Sequence, residues 1–433
     1  MREAGMAEYE LSDESKMDLV VRVGEVFSPA APINRRDLFA GRLQQLTKVI
    51  DVTNTRGQHA VIFGERGVGK TSLANIVGDV LASRPRKHIV VVKINCSSDD
   101  SFATLWKKAL RQIVVDEDSG RATVAFRATA VSDRKPASEL LPAEPSPNDV
   151  RGILESLGES VLIFDEFDRL TQGKPTALFA DAIKELSDGS VPATIIIVGV
   201  ANSIDGLIKE HRSIERALCQ VLMPRMTNDE LKEIVQKALG QLEMTMEAEA
   251  EDLIVLLSQG LPHYTHLLGK AACRAALRGS RRHVSAHDVK SGIGTSLEDT
   301  QQSVQNAYQE ATVSPRKDTL FKEVLLACAL APVDDLGYFA SADVREPLSL
   351  IMGKRYDIPG FSQHLDKFSS EVRGNVLEKA GTQRRFRFRF RNPLLQPYVV
   401  MRGLADGMLT GDGLALLKKK FLGGRTRPRT RHG

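Results

Sequence analysis

The residues of this 433-residue chain with the most chemistry in them stand between Gly64 and Ser72, in the run GERGVGKTS. Gly64, Gly69, Lys70 and Thr71 fall on the spacing G-x-x-x-x-G-K-[ST]. Glycines at these places let the backbone wrap a phosphate chain, so that several N–H groups and a helix N-terminus point at the anion. Lys70 supplies a point charge for β and γ phosphates, and the Thr71 hydroxyl reaches Mg²⁺. The candidate nucleotide-binding residues are therefore Gly64, Glu65, Arg66, Gly67, Val68, Gly69, Lys70, Thr71 and Ser72. The apolar HAVIF precedes the motif and the helical SLANIVGDVL follows it. That context separates it from a glycine-rich turn with a stray lysine.

About a hundred residues on, VLIFDEFD reads as a buried strand ending in Asp165 and Glu166. Such an end puts two carboxylates at the carboxyl edge of a sheet, beside the phosphates. Asp165 would hold Mg²⁺, directly or through water, and Glu166 would polarise an attacking water. A DE pair after a strand says little alone; with the glycine loop upstream it says much. Asp168 is read as a helix-capping residue in preference to a metal ligand. Asn202 ends a further apolar run, ATIIIVGVA, where it could orient water or touch a γ-phosphate; the alternative is an N-cap for the helix after it.

The elements that must position these groups alternate between apolar strands and helices from residue 25 to 226, which argues for an α/β unit with a parallel sheet covered on both faces. Residues 1–24 read as a polar arm, and 116–149, low in apolar residues, as a flexible insertion. Residues 227–312 carry only helical patterns and form a helical lid in this reading. A linker at 314–316 leads to a last domain at 316–402, and 403–433 is a basic tail.

Hydrophobic content of 42% with 26% charge excludes a disordered chain. The four cysteines show neither CxxC nor paired-His spacing, which leaves out a zinc site and a disulfide framework and fits a reducing compartment. No apolar run reaches membrane-spanning length and the N-terminus lacks an apolar signal core, so a cytoplasmic protein is expected. From residue 384 onward 13 Lys and Arg face 2 Asp, a net +11 that leaves −7 for the rest of a chain of net +4. A basic end on an acidic body suggests an anionic partner, most often nucleic acid.

Within that end, RRFRFRFRN alternates with period two. Phe386, Phe388 and Phe390 form one strand face; Arg385, Arg387, Arg389 and Arg391 form the other. A turn at Gly381 and Thr382 makes this the second half of a hairpin, and helices ending in a hairpin are the plan of a winged helix. The phenylalanines then pack on the helices, and the arginines line a wing able to reach phosphates of duplex DNA. FSQHLDKF would be the recognition helix, with Gln363, His364 and Lys367 as groove contacts. The alternatives are an edge strand whose charges prevent edge-to-edge pairing, and a protein-interaction module.

These motifs together resemble the AAA+ ATPases, nearest to the origin-recognition and initiator branch and similar also to STAND-type ATPases. The likeness runs over about residues 25–295, with the winged helix as an extension. It implies ATP and Mg²⁺ as cofactors, ATP hydrolysis, and homo-oligomers bridged by nucleotide. It also implies an arginine acting on a neighbouring subunit's γ-phosphate, for which HRSIERAL offers Arg216 and Arg212; the alternative is a surface salt bridge. Pro32, Ile33, Phe39, Gly41 and Arg42 lie where the family closes over adenine. GLPHYTHLLG departs from the initiator pattern, with His263 where relatives place a lid arginine, and its Gly-x-Pro turn resembles STAND ATPases. Histidine binds phosphate more weakly than arginine, which puts fast hydrolysis in doubt. The STAND likeness implies a signalling switch in which the last domain clamps the nucleotide unit or recruits an effector.

Overall fold

Five apolar runs line up as one all-parallel sheet in the computed structural model. It describes residues 13–29, 31–84, 89–116, 122–124, 134–170, 174–200, 214–314, 319–334, 336–382 and 385–409, with 413, 414 and 418 besides. The chain divides into two compact units. Helix α1 (Asp13–Val26) belongs to the one that also holds residues 66–68 and 224 onward.

The other unit carries the sheet. It runs through α2 (Leu43–Thr53), β1 (His59–Phe63), α3 (Lys70–Ala82), β2 (Val90–Asn95) and α4 (Phe102–Arg111). After these come short β3 (Ile113–Asp116), β4 (Ala122–Val124) and β5 (Arg134–Pro136), then α5 (Pro147–Leu157), β6 (Ser160–Asp165), α6 (Lys174–Asp188), β7 (Ala193–Gly199) and β8 (Leu218–Leu222). The main sheet has the order β2-β6-β7-β1-β8. Its register sets Asn95 opposite Asp165, and Phe63 opposite both Gly199 and Leu222. The carboxyl ends of the strands are thus level, and ligands of open α/β sheets sit at that edge.

Strands β6 and β7 are buried at every residue, as a parallel sheet covered on both faces requires. Beside β6 the core is aromatic: Phe164 meets Phe179 edge-on at 4.6 Å and Trp106 at 5.4 Å, and Phe167 meets Phe179 at 5.0 Å. Side chains alternate along a strand, so locking Phe164 into this cluster turns Asp165 to the opposite face. Helices α4 and α5 start on reciprocal caps, Ser101 with Thr104 and Ser146 with Asp149.

Two sequence expectations need correction here. Part of the segment read as a flexible insertion is a small antiparallel sheet, order β4-β3-β5, with Ile113, Ala122 and Ala137 in the core. The second half of the segment read as an arm, residues 13–24, lies in α1, because Leu19, Val23 and Val26 recur on one face and are buried. LCQVL, which carries no element in the sequence reading, is the fifth strand of the sheet.

The second unit continues with α7 (Asn228–Leu242), β9 (Thr245–Met246), α8 (Ala248–Ser258), α9 (Pro262–Arg278), β10 (His283–Val284), α10 (Ala286–Glu298) and α11 (Gln302–Thr312). Helix α1 packs on α7 and α9. Next are α12 (Phe321–Leu330), β11 (Phe339–Ala340), α13 (Arg345–Met352), α14 (Ser362–Phe368), β12 (Leu377–Ala380), β13 (Arg387–Phe390) and α15 (Leu395–Ala405). The last three strands form an antiparallel sheet of order β11-β13-β12. Helix α15 packs on α8, α10, α11 and α12, joining the last segment to the helices before it.

His59 and His266 are buried neutral, each pushed down to about 4 by desolvation. The unfolded chain takes up these protons near pH 6.5 and the folded chain only near 4, so stability is present above 6.5 and is lost as pH falls through that window. Each group contributes a loss of about 3 kcal/mol by pH 4. His59 Nδ1 accepts the Ile195 N–H at 3.0 Å, a bond that glutamine can also accept. His59→Gln should flatten the fall in melting temperature between pH 6.5 and 4; a slope equal to wild type would show that another group titrates.

Candidate functional site

The glycine loop leaves β1 at Phe63 and enters α3 at Lys70. Gly64 is required by space: a Cβ there would lie 2.3 Å from the Met223 carbonyl oxygen. Gly69 caps α3 at φ 94°, a conformation that favours glycine. Lys70 Nζ donates to the carbonyls of Gly64 at 3.0 Å and Glu65 at 2.8 Å, which holds the ammonium against the loop. The first-turn N–H groups of a helix have no acceptor within it, so the start of α3 favours an anion. Ser72 accepts the Ile33 N–H at 3.0 Å, and Asn75 Nδ2 donates to the Ile33 carbonyl at 3.4 Å. Ile33, from the stretch compared with an adenine cover, is thereby fastened to α3.

Residues 66–68, the loop apex, belong to the unit that holds residues 224 onward. Arg66 is exposed and Val68 buried. A Cβ on Gly67 would lie 2.9 Å from Leu394 Cδ2 and 3.9 Å from Leu261 Cδ2. Leu394 is fixed through its carbonyl, which accepts the buried Tyr264 hydroxyl at 2.5 Å.

Asp165 is the centre of the polar side of the sheet unit, with 2% of its surface exposed. Its Oδ1 accepts the Thr71 hydroxyl at 3.3 Å and the Glu166 N–H at 2.9 Å. Its Oδ2 pairs with Lys93 Nζ at 2.9 Å. Glu166 is exposed, stands at φ 56°, and pairs with Arg169 Nη1 at 2.9 Å. A left-handed glutamate is uncommon, and here its N–H is held by Asp165 Oδ1. Asp168 accepts the Val200 N–H at 3.2 Å and so braces the end of β7.

A hydroxyl and a carboxylate oxygen within 3.3 Å of each other are hard donors that suit Mg²⁺. Among the described residues no cluster of three or more His, Cys, Asp or Glu could hold a metal. Thr71 and Asp165 would hold such an ion only together with ligands from outside the chain. Lys93 was missed by sequence reasoning, although one signal was there: a lone charge inside VVVKIN, where a largely buried strand demands a partner.

Asn202 and Arg212 lie outside the described residues. Arg216 is exposed just before β8, between buried Ile214 and Ala217. His263 begins α9, and its Nδ1 lies 2.7 Å from the Pro29 carbonyl. A carbonyl only accepts, so Nδ1 carries the hydrogen, and in the neutral ring Nε2 is then an acceptor. Burial pushes this histidine down, and the charge of Arg66 pushes the same way against the Pro29 bond.

The alternating arginines are heavily engaged. Strand β13 lies between β11 and β12, so it is not an edge. Phe388 and Phe390 are buried on Phe339, while Phe386 is half-buried with Lys379 Nζ 3.8 Å from its ring centre. Arg389 places two nitrogens on Glu378 Oε2, at 2.7 and 2.9 Å, and lies 4.6 Å from the Tyr338 ring centre; Tyr338 donates to Glu378 at 2.8 Å. Arg387 pairs with Asp334 at 2.9 Å and Arg391 donates to Asn375 at 3.1 Å. Arg385 is exposed, as are Gln363 and Lys367 on α14; His364 is half-buried and meets Phe321 edge-on.

Comparison with known proteins adds the following. No curated protein matches this sequence. Among solved structures the chain is similar to the Walker-type ATPase of Pyrococcus abyssi, at TM-score 0.50 and 16% identity over 87% of this chain and 99% of that one. It is similar also to the ORC1 protein of Aeropyrum pernix in complex with DNA, at 0.46 and 13% over 89% and 97%. The Holliday junction branch migration motor RuvB of Thermotoga maritima follows at 0.41 and 17% over 84% and 96%. The first of these likenesses shows the fold expected from the sequence, an α/β P-loop sheet of AAA+ kind. A family model described as Novel STAND NTPase 1 matches residues 32–335, which takes in the glycine loop, the acidic strand end and the helices that follow. This is more than half of the sequence, and the chain belongs to the Novel STAND NTPase 1 family.

Proposed function

We propose that this chain is an Mg²⁺-dependent, ATP-binding and ATP-hydrolysing switch whose C-terminal segment, read as a winged helix, responds to the nucleotide. The observation that carries the nucleotide part is the approach of Thr71 to Asp165, 3.3 Å apart at the level carboxyl ends of β1 and β6. Lys70 and the start of α3 bind phosphates, Thr71 and Asp165 hold the metal, and Glu166, once released from Arg169, orients the attacking water. Arg216, exposed, is the candidate to act on a neighbouring copy, with Arg212 as the alternative and Asn202 as the γ-phosphate contact. The switch part is favoured by Leu394 standing against Gly67, since a loop that reshapes around phosphates would disturb that contact.

A second reading, duplex DNA binding, rests on the exposure of Arg385, Gln363 and Lys367 and on the net charge of the chain's end. Arg389 is assigned to the fold in this reading, because it is largely buried against Glu378 and Tyr338.

Lys70→Ala should weaken binding of a fluorescent ATP analogue with Mg²⁺ by at least about tenfold, the equivalent of 1.4 kcal/mol. Glu166→Gln should keep binding and lower hydrolysis about 100-fold or more. An intact fold that binds ATP equally with and without Lys70 sinks the nucleotide reading.

The second reading is decided by a salt series. Lys367→Ala and Arg385→Ala should each reduce the slope of log affinity for duplex DNA against log salt by about 1. Arg389→Ala should instead lower the melting temperature, by leaving Glu378 half-buried without its ion partner. ATP-dependent assembly indifferent to duplex DNA would leave only the switch.

A further inference from the structure

Asp165 presents different neighbours to its two oxygens. Oδ1 faces Thr71 and the Glu166 N–H, the side on which a metal with phosphates would sit. Oδ2 is held by Lys93 Nζ at 2.9 Å, and the same ammonium donates to Asn75 Oδ1 at 2.6 Å. The carboxylate side chain is 3% exposed and the lysine side chain 25%. A buried carboxylate without a counter-charge is costly, so the ion pair stabilises the site before any metal arrives. It also cancels the charge that would attract a dication, and the ammonium repels one that approaches Oδ1.

We propose that Lys93 is a built-in counter-cation of the metal carboxylate. It keeps the chain from holding a divalent ion alone, so that the ion enters only with a phosphate chain whose negative charge outweighs the ammonium. Lys93 is a positioning residue in this scheme, acting through Asp165. Asn75 gives it a second partner: Nζ already donates to the Asn75 amide oxygen at 2.6 Å, a bond it would keep if a metal on Oδ1 weakened its pairing with Oδ2. The same Asn75 side chain holds the Ile33 carbonyl, so the arrival of the metal is felt at the segment ahead of α2. The proposal rests on the nucleotide reading for the identity of the phosphate chain, but its charge argument concerns Asp165 and Lys93 alone.

The test uses the full chain with Lys93→Met, Lys93→Arg and wild type. Free Mn²⁺ is followed by electron paramagnetic resonance without nucleotide, and folding by thermal melting. Lys93→Met should bind Mn²⁺ at least about tenfold more tightly than wild type, and Lys93→Arg should behave as wild type. With a fluorescent ATP analogue, the Mg²⁺ concentration for half-maximal binding should fall about tenfold in Lys93→Met. Equal or weaker Mn²⁺ uptake by folded Lys93→Met overturns the proposal. If that variant does not fold, Lys93→Gln, which keeps a donor for Asn75 and loses the charge, carries the same comparison. A wild type that takes up no nucleotide defeats the nucleotide reading, while the Mn²⁺ comparison still decides the role of Lys93.

Discussion

A carboxylate that is almost wholly out of water sets the terms for the sheet unit. A buried carboxylate is costly unless its neighbours compensate it, and three do: the Thr71 hydroxyl, the Glu166 N–H and the Lys93 ammonium. The remaining structure fixes where those groups meet. Strand β6 lies between β2, which brings Lys93, and β7, whose end is braced by Asp168. On the opposite face Phe164 is locked by Phe179 and Trp106, so Asp165 has no other direction to point. A change to the aromatic cluster would reach the Asp165 carboxylate through the alternation of a single strand.

The glycine loop is held at two levels. Its base is tied into the sheet unit through Gly64 against Met223 and through Lys70 against the loop carbonyls. Its apex is grouped with residues 224 onward, where Gly67 faces Leu394. Tyr264, buried and with its hydroxyl pushed up by desolvation, stays protonated and so keeps a donor for the Leu394 carbonyl at any physiological pH. That bond fixes the backbone carrying Leu394. Such a contact suits a switch better than a surface that only carries charge.

What the sequence disclosed follows from how local each signal is. The glycine loop and the DE pair were legible because strand, turn and helix are contiguous, and the spacing itself carries the geometry. Lys93 was visible as an oddity in VVVKIN, yet its partner is on a strand adjacent in space and about seventy residues away in sequence. The period of the Phe/Arg run correctly separated two faces, with Phe388 and Phe390 buried. It could not reveal that β13 is central, nor that Glu378, Asp334 and Asn375 stand opposite the arginines. Helix α1 was overlooked because its apolar stripe is narrow, and β8 because five residues directly ahead of a helical region give a weak period.

His263, which the resemblance sets where relatives carry a lid arginine, would bear on the rate of the proposed reaction. Phosphoryl transfer is accelerated by cations that meet the charge growing on the γ-phosphate. With Nδ1–H committed to the Pro29 carbonyl and the ring kept neutral by burial, Nε2 offers a lone pair where an arginine would offer two donors and a charge. Protonation would reverse that, but the fold resists it through desolvation and through Arg66 nearby. Glu166, meanwhile, is engaged by Arg169 and must leave that pair before it can orient water. In the proposed reaction, a discharged metal carboxylate and a paired glutamate would make the sheet unit hold a nucleotide longer than it turns it over. Residence time, more than turnover, is then the quantity such a switch would use.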